Sequence, residues 1–187
     1  MLGELGAPHE LALVTQAEQA GAAHRRRHPL ARVPVLDDGD GAVFESAAIC
    51  LHLADLYADA GLLPATGNHE RALVYRWAFF AMTELESPLA DVSYGTTAGD
   101  GRGGDVRYPQ PGPEQVAAAT ARFHSAARAV EHALGANDYL VANRFGVADV
   151  LVGSVLAWAD DVGLIGEDYP KLIGYLKRLR ARPAYAY

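Results

Sequence analysis

Apolar positions along this 187-residue chain follow two periods, and the change between them falls near residue 65. In the first stretch, short runs suited to strands alternate with helical spacing. Leu11 and Leu13 share one side of His9 to Val14, an alternation that predicts a strand. Val33-Pro-Val-Leu36 and Ala42-Val-Phe44 read as two further short strands. Asp37-Asp-Gly-Asp-Gly41 between them is turn chemistry, so the pair is expected as a β-hairpin. Met1 to Leu5 reads as the last turn of a helix stopped by Gly6, and Gln16 to His28 as a polar, irregular stretch with a short helix. From Ser46 the spacing becomes helical, with Ile49, Cys50, Leu53, Leu56 and Tyr57 on one face. Ser46 suits the N-cap of that helix and Gly61 its stop.

Leu62-Leu-Pro-Ala-Thr-Gly-Asn68 concentrates chain breakers and reads as a linker. Beyond it, Leu73, Trp77, Phe80, Ala81 and Leu85 form a helical stripe, which Pro88 is expected to end or kink. Gly95 to Gly112 is rich in glycine and proline and is expected as a long loop. Pro113 then suits a first helical turn. Val116, Thr120, Phe123, Ala127, Val130 and Leu134 repeat at steps of four and three. Val147 to Trp158 is apolar nearly all round, the signature of a helix buried among others. Leu172, Tyr175, Leu176 and Leu179 mark a last amphipathic helix. Lys177, Arg178, Arg180 and Arg182 sit near its C-terminal end, where cations are favoured, and Pro183 closes it. The pattern therefore predicts a small α/β unit over residues 1–62, then an all-helical domain over 69–187.

Composition narrows the class. Half of the residues are apolar, enough for a core without covalent staples. Cys50 is the one cysteine, so no disulfide forms within the chain, and a reducing, cytoplasmic setting is expected. The formal net charge of −7 counts against nucleic acid as a partner, because phosphate binding calls for a basic surface. No apolar run reaches the roughly 20 residues of a membrane span, so no membrane association is expected. The start, Met1 to Pro8, lacks the charged and apolar regions of a signal peptide.

Two motifs carry chemistry. In Arg32-Val-Pro-Val-Leu36 a proline opens a strand, where it cannot donate to the ladder. A cis Val33–Pro34 bond would turn the Val33 backbone outward, free to pair with an extended peptide as a short added strand. The alternative is an ordinary trans proline at a strand end, the commoner state of an X–Pro bond. The second motif is Phe44-Glu-Ser-Ala-Ala-Ile49. Ser46 begins a helix, whose open N–H groups and positive dipole end suit a carboxylate. Glu45 beside it suits an ammonium. The alternative here is a plain helix cap with a surface glutamate.

Taken together, the two motifs resemble the glutathione site of the cytosolic glutathione transferase family. What the resemblance implies is specific. The strand at Val33 and Pro34 pairs with the cysteinyl part of glutathione, and Glu45 and Ser46 hold its γ-glutamyl head. Glutathione is then a co-substrate, and a small electrophilic or apolar molecule is the second. His28-Pro-Leu-Ala-Arg32 resembles the family's Asn-Pro-Leu-Gly-Lys/Arg approach, with His28 and Ala31 departing from it. Tyr139-Leu-Val-Ala-Asn-Arg-Phe-Gly-Val-Ala-Asp149 resembles the segment entering the family's central helix. Gly146 stands where a capping Ser or Thr is usual, and Asp149 reads as structural. Tyr169-Pro-Lys-Leu172 and Arg182-Pro-Ala-Tyr185 fit the family's ending. The implied fold is a thioredoxin-like N-terminal domain followed by an all-α helical bundle. A homodimer and a cytoplasmic location follow from the same resemblance.

Family members carry a strand, a loop and most of a helix ahead of the point matching Met1, so the expected N-terminal domain is truncated and its first strand missing. That strand lies between the strands matching His9 to Val14 and Val33 to Leu36, so its loss exposes two edges and is expected to leave the domain poorly ordered alone. The family's catalytic Tyr, Ser or Cys follows that strand, and no residue here matches it, so the catalytic residue is unknown. Two roles stay open: an enzyme that transfers the glutathione thiolate, or a non-catalytic partner-binding module of the translation or stress-response type.

Other residues invite lesser readings. Cys50 lies on an apolar helix face, as a buried inert thiol does. His24 and His28 are four apart but have no evident third ligand, so no metal is expected. Arg25-Arg-Arg27 reads either as a solvated run or as a receiver for the glycyl carboxylate. Tyr75, Phe79, Tyr94, Tyr108 and Trp158 are core aromatics or the lining of a pocket for an apolar co-substrate.

Overall fold

The computed structural model describes residues 1–97 and 111–186, without the side chains of residues 95–97 and 186. In the first half, α1 (Leu2–Leu5) ends at Gly6, which takes the left-handed φ of 60° that closes such a turn. Two short helices follow, α2 (Gln16–Ala20) and α3 (Ala22–Arg27). Thr15 starts α2 with a reciprocal cap: its hydroxyl accepts from Glu18 N–H, and its own N–H donates to the Glu18 carboxylate. The hairpin joins β1 (Val35–Asp37) to β2 (Ala42–Phe44), antiparallel, with Val35 opposite Phe44 and Asp37 opposite Ala42. Gly39 N–H donates to the Asp37 carboxylate and Asp40 N–H to that of Asp38, the local pairing that suits aspartate to turns. Helix α4 (Ser46–Leu56) buries Ile49, Leu53 and Ala54. Gly61, at φ 67°, closes the 3-10 turn Ala58–Ala60 after α4 rather than α4 itself.

One expected strand is absent. His9 to Val14 has no ladder, and Leu11 and Leu13 are 81% and 85% exposed. Alternation specifies a strand only where a neighbouring strand takes up its N–H and C=O groups; among the described residues the only sheet is β1–β2. The strand expected from Val33 begins at Val35, because Pro34 has no N–H to offer a ladder.

The second half is helical, as its pattern predicts: α5 (His69–Phe80), α6 (Ser87–Thr97), α7 (Pro113–Leu134), α8 (Val147–Asp161) and α9 (Pro170–Arg180). Pro88 does not end its helix. Between α5 and α6 the chain opens into a π-helical turn, Ala81–Glu86. A proline ring at residue 88 would press on the Glu84 carbonyl in an α-helix, and a wider turn relieves the clash. Thr83 adds to it by donating its hydroxyl to the Phe79 carbonyl. Helix α6 runs on to Thr97, so the loop expected from Gly95 starts later; residues 98–110 lie outside the described residues.

Helix α8 is the axis of the core, with Val147, Leu151, Val152, Val155 and Leu156 buried. Phe123 and Val130 of α7 and Leu172, Tyr175 and Leu176 of α9 close around it. The Glu131 carboxylate caps α9, accepting from Lys171 and Leu172 N–H at 3.0 and 2.8 Å. Asp149, on α8, is buried and accepts three bonds: from Gly146 N–H, from Leu140 N–H and from the Tyr175 hydroxyl, at 2.9 to 3.0 Å.

Hydrogen-bonded ties join the halves. Val147 N–H donates to the Leu62 carbonyl at 3.0 Å. Arg71 of α5 grips both oxygens of Asp55 on α4 and the Pro64 carbonyl of the linker. Glu4 of α1 pairs with Arg182 through two bonds of 2.7 and 2.8 Å, and that guanidinium lies 3.5 Å from the centre of the Phe145 ring. The first tie explains Gly146. A Cβ there would lie 2.7 Å from the Leu62 carbonyl oxygen. A Ser or Thr would therefore force the linker off the start of α8. Gly146→Ala is expected to cost about 1–3 kcal/mol in urea unfolding, the range of an overpacked contact. Gly166→Ala, where the added carbon meets nothing within 4 Å, serves as the control. Equal midpoints for the two variants would show that this contact does not constrain the chain.

Candidate functional site

The start of α4 is an unusual helix end. Glu45, not Ser46, is the N-cap, with φ 73° and ψ 118°. A non-glycine residue in the left-handed region costs on the order of 1–3 kcal/mol and is held only by its surroundings, a feature that gathers at functional sites. The first helical bond runs from Ile49 N–H to the Glu45 carbonyl, and no side chain caps this end. The N–H groups of Ser46, Ala47 and Ala48 thus lack intrahelical partners and carry the positive end of the helix dipole.

The Val33–Pro34 bond is cis. Val33 is 53% exposed, and its N–H and C=O have no hydrogen-bond partner among the described residues. The segment behind it is pinned. His24 is buried and donates Nε2–H to the Arg32 carbonyl at 2.8 Å, which fixes its tautomer. His28 accepts Leu30 N–H on Nδ1, and its ring packs against Phe44 with centroids 4.7 Å apart. The two histidines are thus committed to backbone and packing, and no group of three metal-ligating side chains occurs among the described residues. Ala31 is buried at φ 56°, which accounts for the usual glycine at that place: an L side chain there costs about 1–2 kcal/mol.

Val33, Pro34, Glu45 and Ser46 line one cleft of about 270 Å³, with Glu86 and Trp158 from the helical half. A second cavity of about 640 Å³ adjoins it, sharing Arg32, Glu45, Glu86, Ala90 and Tyr94. Asp91 on α6 and Gln115 and Arg122 on α7 complete its polar wall, and Met82 and Ala119 give apolar floor. Sequence reasoning missed Glu86, Asp91, Gln115 and Arg122. The spacing of Gln115 and Arg122, seven apart on one helix, was a usable signal. The facing of Glu86 was not, because it depends on the π turn.

Of the aromatics weighed for a pocket, Tyr94 and Trp158 line these cavities. Tyr75 instead accepts a bond from Arg71, and Phe79 is 69% exposed. Tyr108 lies outside the described residues. Arg27 pairs with Asp37 and Arg25 bonds the Ala20 carbonyl, so neither reaches the cleft. Cys50 is half-buried, and burial pushes its thiol pKa up, away from reactivity.

Glu86 lies with Glu45 at the junction of the two cavities. Burial raises its pKa first, the charge of Glu45 raises it further, and Arg32 opposes both. A folded-state value above the unfolded one means that the folded chain keeps a proton which the unfolded chain releases. Stability from this group therefore falls as pH climbs from about 4 through the raised value. Glu86→Gln removes that loss. The melting temperature of the variant minus that of the parent should grow from about pH 4 to 7, and a flat difference would refute the assignment.

Comparison with known proteins agrees with this architecture. Residues 1–61 match the glutathione S-transferase N-terminal domain and residues 113–178 the glutathione S-transferase C-terminal domain. Glutathione S-transferase 1 of Schizosaccharomyces pombe is 29% identical over 98% of this chain and 85% of its own. Elongation factor 1-gamma of Trypanosoma cruzi is 34% identical over 72% of this chain, and the match spans only 29% of that longer protein. The solved structure of a sphingomonad glutathione S-transferase complexed with glutathione superposes with a TM-score of 0.83, at 28% identity, over 99% of this chain and 87% of that one. With both domains matched, in the expected order and on the expected fold, the chain belongs to the glutathione S-transferase family.

Proposed function

We propose that this chain binds glutathione in the smaller cleft and presents its thiolate to a small electrophile in the larger one. What supports the reading most is the meeting of four groups around one cleft: the unpaired Val33 backbone, Pro34, Glu45 and the open helix start at Ser46. The γ-glutamyl carboxylate takes the Ser46 hydroxyl and the free N–H groups behind it. The ammonium beside that carboxylate takes Glu45. The cysteinyl amide pairs with Val33 as an added strand. The sulfur then faces the cavity shared at Arg32, Glu86 and Tyr94. The sphingomonad relative, solved with glutathione, supports the same ligand. No catalytic residue is assigned.

A homodimer is part of this reading. Leu56, Tyr57, Tyr75 and Phe79 expose apolar surface near the α4–α5 junction, where Arg71 grips Asp55. A cytoplasmic setting is proposed from the single cysteine. Among the described residues, no helix is long and apolar enough to cross a membrane. The likeness to elongation factor 1-gamma favours a second reading, a partner-binding module with no need of glutathione.

Glutathione at a hundred times its dissociation constant should stabilise the chain by about 2.7 kcal/mol, roughly 5–10 °C in melting temperature. Ser46→Ala should weaken binding about 10–150-fold by calorimetry, the loss of one hydrogen bond to a charged group. The variant without ligand should melt with the parent, since the hydroxyl makes no cap bond. Absence of any shift at millimolar glutathione would favour the module reading.

A further inference from the structure

The larger cavity is not the apolar pocket that the sequence suggests for a second substrate. Its α6 wall presents Asp91, with Glu86 from the π turn beneath it. The α7 wall opposite presents Gln115 and Arg122. Among the described residues, its apolar surface comes from Met82, Ala90, Pro111, Ala118 and Ala119. A greasy ligand pressed into this space would strip water from the half-buried Glu86 carboxylate and return no hydrogen bond to it, which is costly for a charged group.

We infer that the second substrate is a small polar electrophile with a cationic end, its ammonium received between Glu86 and Asp91 and a carbonyl or carboxylate end turned to Arg122. The inference rests on the glutathione reading above and names the substrate class of that site. Glu86 sets the preference more than Asp91 does, because it is half-buried and lines both cavities, while Glu45 is taken up by the glutathione ammonium. A cation seated beside Glu86 pairs its half-buried carboxylate, which an apolar or anionic group cannot do. Asp91 and Arg122 are exposed at the rim, where single charges count for less. The apolar floor leaves room for a short aliphatic body between the charged ends.

Conjugates of glutathione test this without requiring turnover, because they share the peptide and differ only in the group sent into the cavity. S-(2-aminoethyl)glutathione, S-propylglutathione and S-(carboxymethyl)glutathione would each be titrated by calorimetry against the 187-residue chain. The aminoethyl conjugate should bind about 5–10-fold tighter than the propyl one, a typical increment for one charge-assisted bond. Glu86→Gln should bring that ratio to within about twofold, and Asp91→Asn should reduce it by a smaller factor. A melting scan of each variant shows that it folds. If glutathione itself fails to bind, both readings fall together. If glutathione binds but the propyl conjugate equals or exceeds the aminoethyl one, or the ratio survives Glu86→Gln, this inference alone is overturned.

Discussion

The bond from Val147 N–H to the Leu62 carbonyl ties the linker to the first turn of the central helix, and the candidate site exists only because the halves meet at a fixed angle. Ser46 and Glu45 come from one half, Glu86 and Arg122 from the other, and the cavities lie between them. The approach is close enough that residue 146 has no room for a side chain. Asp149 makes it rigid by holding the N–H groups of Gly146 and Leu140 and the Tyr175 hydroxyl at once. A buried carboxylate with three donors is tolerable where one with none is not. The polar centre of this core thus sets where α8 begins, and through it where the α/β half sits.

The same logic of compensation runs through the cleft. Glu45 sits in an unfavourable backbone region, and its carboxylate faces another at Glu86. Neither feature helps the empty protein. Both become useful when a ligand brings an ammonium to the carboxylates and a carboxylate to the bare helix end. His24 does its part from behind, fixing the Arg32 carbonyl so that the following peptide holds its orientation. Folding energy from the packed helices around Phe123 and Leu156 can carry these local costs.

Much of this was legible in the sequence. The switch from strand-length runs to long helical stripes located the two halves, because burial on one face imposes a period. The hairpin was legible because Asp37 to Gly41 can hardly be anything but a turn. Val33, Pro34, Glu45 and Ser46, singled out by their resemblance to a family motif, do share a cleft. Where the reading failed, the cause was contact across the fold. Leu11 and Leu13 alternate as a strand should, yet pairing depends on a neighbour. Ser46 looked like the cap, but the backbone turns one residue earlier, at Glu45. The meeting of Glu86 with Arg122 was illegible because they are 36 positions apart in the chain. The packing of the π turn and α6 on α7 brings them together.

The widened turn at Ala81–Glu86 also bears on how this helix tolerates changes in length. A π turn holds one residue more than an α turn, so the flanking segments keep their facings while the extra residue is absorbed between them. Losing a residue ordinarily rotates everything downstream by about 100°, the angular step of 3.6 residues per turn. Within 81–86, a deletion would instead restore regular α geometry and leave the stripes of Trp77 and Leu89 in phase. The restored α turn would then drive the Pro88 ring onto the carbonyl four residues back. Shortening and replacement of the proline are therefore coupled events, and a relative that lacks one is expected to lack the other.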